Sequence, residues 1–258
     1  MRLDRYIFEK GLVPSREKAR AVIMAGLVFV DGKRVDKPGY RVKGTEKVEI
    51  LEPPRYVSRG GYKLEGALSR FGIDVTGKVC LDVGSSTGGF TDCLLQHGAR
   101  KVYAVDVGKG QMDPKLRTDP RVVLYEKTDA RKLDESHIPE KVDLITVDVS
   151  FISLTKVLRN LVRFLKEEGL LLVLVKPQFE LSPREVKKGV VRERYLRKKA
   201  VLKVARFVVE LGLKVLGVMK AKPRGSKGNE EFFLLCSFSG DNIDIEPQVE
   251  RALDEQDL

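Results

Sequence analysis

The sequence predicts an α/β protein in two parts: a small α+β domain, then a doubly wound, Rossmann-like sheet of seven strands with an antiparallel hairpin at one edge. Three observations carry this expectation. From Arg59 onward, short runs rich in Val, Leu and Ile alternate with segments of helical periodicity, the rhythm of parallel strands covered on both faces. The first run ends in a glycine-rich turn, Asp82-Val83-Gly84-Ser85-Ser86-Thr87-Gly88-Gly89-Phe90. The last two runs follow each other around the loop 223–229 with no helix between them, which reads as a hairpin.

Taken in order, the first domain spans 1–52. Leu3, Ile7 and Leu12, then Ala19, Val22 and Ile23, recur at helical spacing, so two short amphipathic helices are expected. Ser15 is a candidate N-cap after Pro14. Past Gly26 the pattern becomes strand-like at Val28-Phe29-Val30, turns at Asp31-Gly32, and resumes around Val35 and Val48-Glu49-Ile50. Pro53-Pro54-Arg55 opens a linker over 53–58, because two prolines stop any regular element. The large domain spans 59–240, with strands expected at 79–83, 102–105, 122–125, 144–148, 170–175, 215–219 and 232–237. Helices are expected at 154–165 and 196–211. From Gly240 onward seven acids stand against one base, Arg251, and 241–258 reads as a solvated, poorly ordered acidic tail.

The chain of 258 residues is 42% hydrophobic and carries a formal net charge of +11, enough for a substantial core and suggestive of a polyanionic partner. Three scattered cysteines, Cys80, Cys93 and Cys236, and two histidines, His97 and His137, make neither a disulfide framework nor a zinc site. No apolar run reaches about 18 residues. These features imply a cytoplasmic protein with no membrane span and no metal, monomeric by preference.

Glycines in the 84–89 turn permit positive φ and remove Cβ atoms from the path of a ligand, which would sit beyond the carboxyl ends of the strands. The spacing lacks the signatures of dinucleotide and P-loop sites; a turn that merely needs glycine is the plainer alternative. The turn resembles the loop of S-adenosylmethionine-dependent methyltransferases. That resemblance makes Asp82, Gly84, Ser86, Thr87, Gly88, Gly89 and Phe90 candidate cofactor contacts. Asp106, ending the second strand, would accept hydrogen bonds from vicinal ribose hydroxyls, and Asp129 from an adenine amino group. Either acid could instead cap the structure that follows.

On the catalytic side, Asp148 closes the fourth strand and Lys176 ends the run Leu170-Leu171-Leu172-Val173-Leu174-Val175. A lysine projected at such a rim is partly desolvated, which favours its neutral, proton-accepting form, although nearby carboxylates oppose that. With Lys63 and Glu231, these residues resemble the Lys-Asp-Lys-Glu tetrad of FtsJ-type ribose 2′-O-methyltransferases; Glu230 adjoins, and strand register favours Glu231. The stretch Gly11-Leu12-Val13-Pro14-Ser15-Arg16-Glu17-Lys18-Ala19 and the later Val28-Phe29-Val30-Asp31-Gly32 are similar to the RNA-binding module of a ribosomal small-subunit protein, pseudouridine synthases and tyrosyl-tRNA synthetases. Over nearly all its length the chain resembles the TlyA family, through Val57-Ser58-Arg59-Gly60-Gly61-Tyr62-Lys63-Leu64, Asp148-Val149-Ser150-Phe151-Ile152-Ser153 and Lys176-Pro177-Gln178-Phe179-Glu180. Its members carry haemolysin names but act as ribosomal RNA 2′-O-methyltransferases on cytidines.

The resemblance implies S-adenosyl-L-methionine as cofactor and ribosomal RNA or ribosomal subunits as partner. Lys176 would assist deprotonation of a 2′-hydroxyl fixed by Asp148 and Lys63, and Glu231 would complete the network. Arg5, Arg16, Lys18, Arg20, Lys33 and Arg34 in the first domain, and Arg59, Lys187, Lys188 and Arg192 in the second, are candidate RNA contacts. The wider basic stretch 185–199 is either an RNA rim or a solvated helix face. Extrusion of the target nucleotide would leave Phe151 and Phe179 to stack on its base. A non-catalytic ribosome-assembly factor and a membrane-active haemolysin are the competing readings. The intact tetrad weighs against the first, and the lack of a long apolar segment against the second.

Overall fold

The computed structural model describes residues 1–52 and 54–256, with Ser226 described through its backbone alone. Pro53 of the expected linker and the last two residues of the expected tail lie outside the described residues. The chain divides into two compact units, Met1–Arg55 and Tyr56–Leu258.

In the first unit, α1 (Leu3–Glu9) and α2 (Arg16–Met24) precede three short strands, β1 (Val28–Val30), β2 (Lys33–Val35) and β3 (Val48–Ile50), paired antiparallel in the order β2-β1-β3. Ser15 caps α2, its Oγ accepting from the Lys18 amide at 3.1 Å. Leu3, Ile7, Ala19, Ile23 and Val28 form the buried centre. Asp4 is buried beside them and is stabilised by the guanidinium of Arg2, at 3.0 Å, and that of Arg16, at 3.3 Å. Those charge-assisted bonds hold its carboxyl below the usual aspartate range.

The second unit opens with α3 (Arg59–Phe71), β4 (Val79–Val83), α4 (Gly89–Gln96), β5 (Lys101–Val105), α5 (Pro114–Arg117), β6 (Val122–Tyr125) and β7 (Val142–Val147). It continues with α6 (Leu158–Leu161), β8 (Leu165–Val175), α7 (Pro177–Glu180), α8 (Arg194–Glu210), β9 (Lys214–Lys220), β10 (Phe232–Ser237) and α9 (Ile245–Asp254). The seven strands lie in the order β6-β5-β4-β7-β8-β10-β9. The first five are parallel, and β10 is antiparallel to both β8 and β9, which is the edge hairpin expected from the sequence. Successive side chains of β4 serve opposite faces. Val79, Leu81 and Val83 join a core with Val204 and Val208 of α8 and Leu253 of α9; Cys80 joins Leu64 and Leu68 of α3 and Leu94 of α4. Burial on both faces explains why the strands read as continuous apolar runs.

Three expectations fail here. The acidic terminus is not a solvated tail: it forms α9, which buries Val249, Ala252 and Leu253. These residues recur at i, i+3 and i+4, a helical stripe that the density of acids masks. The acids themselves pair with α8, Glu250 and Asp254 with Arg194, and Glu246 and Glu250 with Lys198. The helix expected at 154–165 is instead three short turns, a 3₁₀ turn at Leu154–Lys156, α6, and another 3₁₀ turn at Val162–Phe164. Ser153 caps the first through its Oγ, and the Asn160 side chain donates to the carbonyls of Ala130 and Leu133, so local bonds fix each turn separately. Finally, β8 begins at Leu165, earlier than expected, since the exposed Lys166, Glu167 and Glu168 interrupt the apolar signal after the buried Leu165.

Because Leu253 is only 6% exposed, truncating it to alanine should cost about 2–4 kcal/mol of stability. Urea unfolding measures this, and a loss under about 0.5 kcal/mol, as for an ordinary surface position, would contradict the docked helix.

Candidate active site

Strands β4, β5 and β6 run out to one side of the sheet and β7 and β8 to the other, so the order of the chain reverses between β4 and β7. Crevices for ligands form at such a point. Gly84 follows β4 and Asp148 follows β7, with the Asp148 amide donating to Val83 at 2.9 Å. Two cavities meet there, both lined by Gly84, Ser86 and Asp148. One, of about 340 Å³, is walled by Ser58, Arg59, Lys63, Thr87 and Phe90. The other, of about 470 Å³, is walled by Asp106, Gln111, Asp129 and Ser150 together with apolar Val107, Phe151 and Ile152.

The four charged residues anticipated from the sequence arrive as two ion pairs. Lys63, on α3, meets Glu231 at 2.6 Å, and both are nearly buried. Lys176 meets Asp148 Oδ1 at 2.6 Å. Register explains the placement: Phe232 of β10 pairs with Val175 of β8, so the next step sets the Glu231 backbone opposite Lys176. Glu230 takes another role, paired with Arg197, with Arg224 at 3.2 Å and with Lys220 at 3.6 Å. Sequence reasoning missed Ser150, whose Oγ accepts the hydrogen bond of Lys176 Nζ at 2.9 Å. The Lys176–Asp148 contact is close but not aligned as a hydrogen bond, and Asp148 Oδ1 is buried without one among the described residues. A serine two residues past a strand-ending aspartate was the available signal.

On the other side of the crevice, Asp106 accepts from the backbone amides of Ser86, at 2.8 Å, and Gly108, at 2.6 Å. Each carboxylate oxygen retains a lone pair, and the residue lines the larger cavity. Asp129 lines the same cavity but caps the turn that follows, accepting from the Arg131 amide and pairing with its guanidinium at 2.6 Å; these bonds lower its pKa to about 2.

Asp82 does not reach the crevice. It is fully buried, accepting from Thr91 Oγ1 at 2.7 Å and Thr146 Oγ1 at 3.0 Å, and burial raises its pKa to about 7. It ties α4 and β7 together beneath the turn. The glycines, too, are spent on internal contacts. A Cβ at Gly88 would strike Leu116 and Met112, and one at Gly89, which lines the smaller cavity, would strike Ser58 Oγ, so both positions admit neighbouring elements.

Of the candidate RNA contacts, Arg5 pairs with Glu9 at 2.5 Å and Arg16 with Asp4, while Lys18, Arg20, Lys33 and Arg34 are exposed. Arg59 lines the smaller cavity and donates to the Arg224 carbonyl at 2.8 Å. In the basic stretch, Arg194, Arg197, Lys198 and Lys199 are held by carboxylates. Lys187, Lys188 and Arg192 are exposed and have no ion pair among the described residues. Phe151 is 91% exposed at φ +63°, its ring centroid 5.0 Å from that of Phe179. Such a conformation is uncommon and strained in a bulky residue.

This fold and crevice define a methyltransferase: the FtsJ-like methyltransferase model matches residues 56–238, and the S4 domain model matches residues 1–48. The Mycobacterium tuberculosis protein named 16S/23S rRNA (cytidine-2′-O)-methyltransferase TlyA is 43% identical, covering 98% of this chain and 97% of its own. Hemolysin A of Brachyspira hyodysenteriae is 42% identical, covering 90% and 98% respectively. A solved Streptococcus thermophilus protein with a hemolysin designation is 38% identical, with a TM-score of 0.76 and coverage of 98% and 94%. The chain belongs to the TlyA family.

The raised pKa of Asp82 makes a signed prediction. Between the ordinary aspartate value of about 3.9 and about 7, the folded state binds more protons than the unfolded one, so stability falls as pH rises through that window and then levels. Asp82→Asn should abolish this slope, gaining on the wild type from pH 4 to pH 7 in urea unfolding. Parallel pH curves for the two proteins would show the carboxyl to be unperturbed.

Proposed function

We propose that the protein transfers a methyl group from S-adenosyl-L-methionine to the 2′-hydroxyl of a cytidine in ribosomal RNA. The pairing of Lys176 with Asp148 and of Lys63 with Glu231 around one crevice is the observation that carries this reading, and the cytidine and ribosomal RNA come from the names of its relatives. The cofactor fits the larger cavity: Asp106 offers the acceptors that vicinal ribose hydroxyls need, Val107 and Ile152 offer apolar walls, and Asp129 and Gln111 stand at its edge. When bound, S-adenosyl-L-methionine supplies an electrophilic methyl group on a sulfonium, so the chain's own residues need only position and deprotonate the acceptor.

Lys176, steadied by Asp148 and Ser150, orients the 2′-oxygen and assists loss of its proton as the new bond forms. Asp148 Oδ1 is free to accept a hydrogen bond from that hydroxyl. Lys63 and Glu231 hold the ribose from the smaller cavity. Phe151 and Phe179 stack on the extruded base. Lys187, Lys188 and Arg192 meet phosphates at the rim, and the exposed cations of the S4 unit, Lys18, Arg20, Lys33 and Arg34, do the same elsewhere on the RNA. The work is cytoplasmic, where ribosomal RNA is found. The hemolysin names of two relatives favour a membrane-active reading, but among the described residues no helix is long and apolar enough to cross a membrane, and a basic surface accounts for incidental binding to anionic lipid.

Purified small and large ribosomal subunits incubated with radiolabelled cofactor should yield labelled 2′-O-methylcytidine. Lys176→Ala should reduce the rate by about 10²–10⁴-fold with cofactor binding retained. Absence of transfer to either subunit, despite cofactor binding, would sink the reading. Separately, replacing Lys187 and Lys188 with glutamine should weaken RNA binding and lower the salt dependence of its logarithm by about 0.7–0.9 per lysine. An unchanged slope would place both lysines away from phosphate.

A further inference from the structure

Asp148 and Lys176 stand just past the ends of β7 and β8, where sheet hydrogen bonding no longer fixes the chain. Asp148 opens the irregular segment 148–153, which contains the strained Phe151. Lys176 precedes α7, a single turn whose start has no side-chain cap. Something else must hold these two segments in register if a 2.6 Å contact between their first residues is to persist.

We infer that Glu180 is that restraint, a positioning residue for the Lys176–Asp148 pair; the catalytic part of the inference rests on the ribose-methylation reading. Glu180 ends α7 and is only 5% exposed. Its Oε1 accepts from the Leu154 amide at 2.8 Å and its Oε2 from Ser153 Oγ at 2.5 Å. Lys203 of α8 closes the arrangement, donating to the Glu180 carbonyl at 2.6 Å and lying 3.3 Å from Oε2. One side chain thus bridges the far end of the segment that Asp148 begins and the turn that Lys176 begins. The near ends are joined by the sheet, the far ends by Glu180, and the catalytic pair lies between the two ties.

The choice of a carboxylate follows from the donors. A backbone N–H, a hydroxyl and an ammonium converge on the two oxygens, and a carboxylate alone offers acceptors on both. In Glu180→Gln an NH₂ group would face either the Leu154 amide or the ammonium of Lys203, so the isosteric change loses one of the converging donors and weakens the tie without opening a cavity. Ser153→Ala removes the bond to Glu180 together with the Oγ cap of the turn at Leu154–Lys156 but leaves the buried charge paired with Lys203, which keeps a second variant available should Glu180→Gln prove unstable.

Two readouts test this in the full-length protein. Backbone hydrogen exchange, without RNA, should show the Leu154 amide exchanging about tenfold faster in Glu180→Gln, with a smaller acceleration across 149–153 in Ser153→Ala. Methyl transfer to ribosomal subunits should then show kcat lower by about 10- to 100-fold in Glu180→Gln, a larger change than in the dissociation constant for S-adenosyl-L-methionine, because Glu180 does not itself line the cofactor cavity although the segment 148–152 does. Unchanged exchange at Leu154, or a folded Glu180→Gln enzyme within about twofold of wild-type kcat, would overturn the inference, as would a loss appearing as weaker cofactor binding. If the wild type itself transfers no methyl group, it is the ribose-methylation reading that fails, and exchange at Leu154 alone decides whether Glu180 ties the two segments.

Discussion

The second unit is organised by a backbone contact between the ends of two neighbouring strands. Gly84, at φ +85°, lies so close to Asp148 that a Cβ there would fall well inside contact distance of the Asp148 carbonyl oxygen. That closeness lets the Asp148 amide extend the β4–β7 ladder by one more bond, to Val83, and so fixes where the aspartate stands as its chain leaves the sheet. The other charged groups of the two ion pairs are placed relative to it by register. Lys176 is one strand over, at the end of β8; Glu231 is one strand further, at the start of the antiparallel β10; and Lys63 comes down from α3 onto Glu231. A side chain at position 84 would force the two strand ends apart and move the first member of this series.

The Lys63–Glu231 pair shows what such placement costs. Both residues are nearly removed from water, and a buried ion pair repays its desolvation only when both partners are present and well directed. Its contribution is therefore to geometry rather than to stability: an ammonium is held at one place in the crevice wall. The adjacent Glu230 serves the same end from the opposite side. Successive side chains in extended backbone point opposite ways, so Glu231 turns to Lys63 while Glu230 turns to Arg197, Arg224 and Lys220. Three cations from α8, the hairpin loop and β9 anchor the residue next to Glu231, which fixes the chain at the point where β10 begins.

Much of this was legible in the sequence because it lives on strand ends. An apolar run that stops at Asp148 or Lys176 announces a charged group at the rim of a sheet, and strand register alone separates Glu231 from Glu230. What stayed hidden depends on contacts between distant segments. Nothing local says that Asp82 turns inward to Thr91 and Thr146 rather than outward to a ligand, or that Gly88 makes room for Leu116 and Met112. The terminal helix is obscured because its density of acids masks the helical spacing of Val249, Ala252 and Leu253. Glu180 belongs to a stretch that carries the family resemblance, but its bonding is not legible there, since its partners Ser153 and Lys203 lie 27 and 23 residues away along the chain.

Charge makes the same point about surfaces. A net charge of +11 suggests a protein basic throughout, and the stretch 187–199 suggests one continuous cationic face. Folding divides that stretch by function. Arg194 and Lys198 are neutralised by α9, Arg197 by Glu230 and Lys199 by Glu185, so the cations on α8 act mainly to hold the terminal helix, the hairpin loop and the turn before it. The three left exposed and without an ion pair among the described residues, Lys187, Lys188 and Arg192, precede α8 on the segment joining it to the turn after Lys176. Asn229 bonds that segment, at Gly189 and Val191, to the loop that leads into Glu231. Within this stretch, unpaired positive charge is thereby confined to the segment tied to the loop before Glu231, where it could draw a phosphate backbone, while the remaining cations of the stretch are committed to the fold.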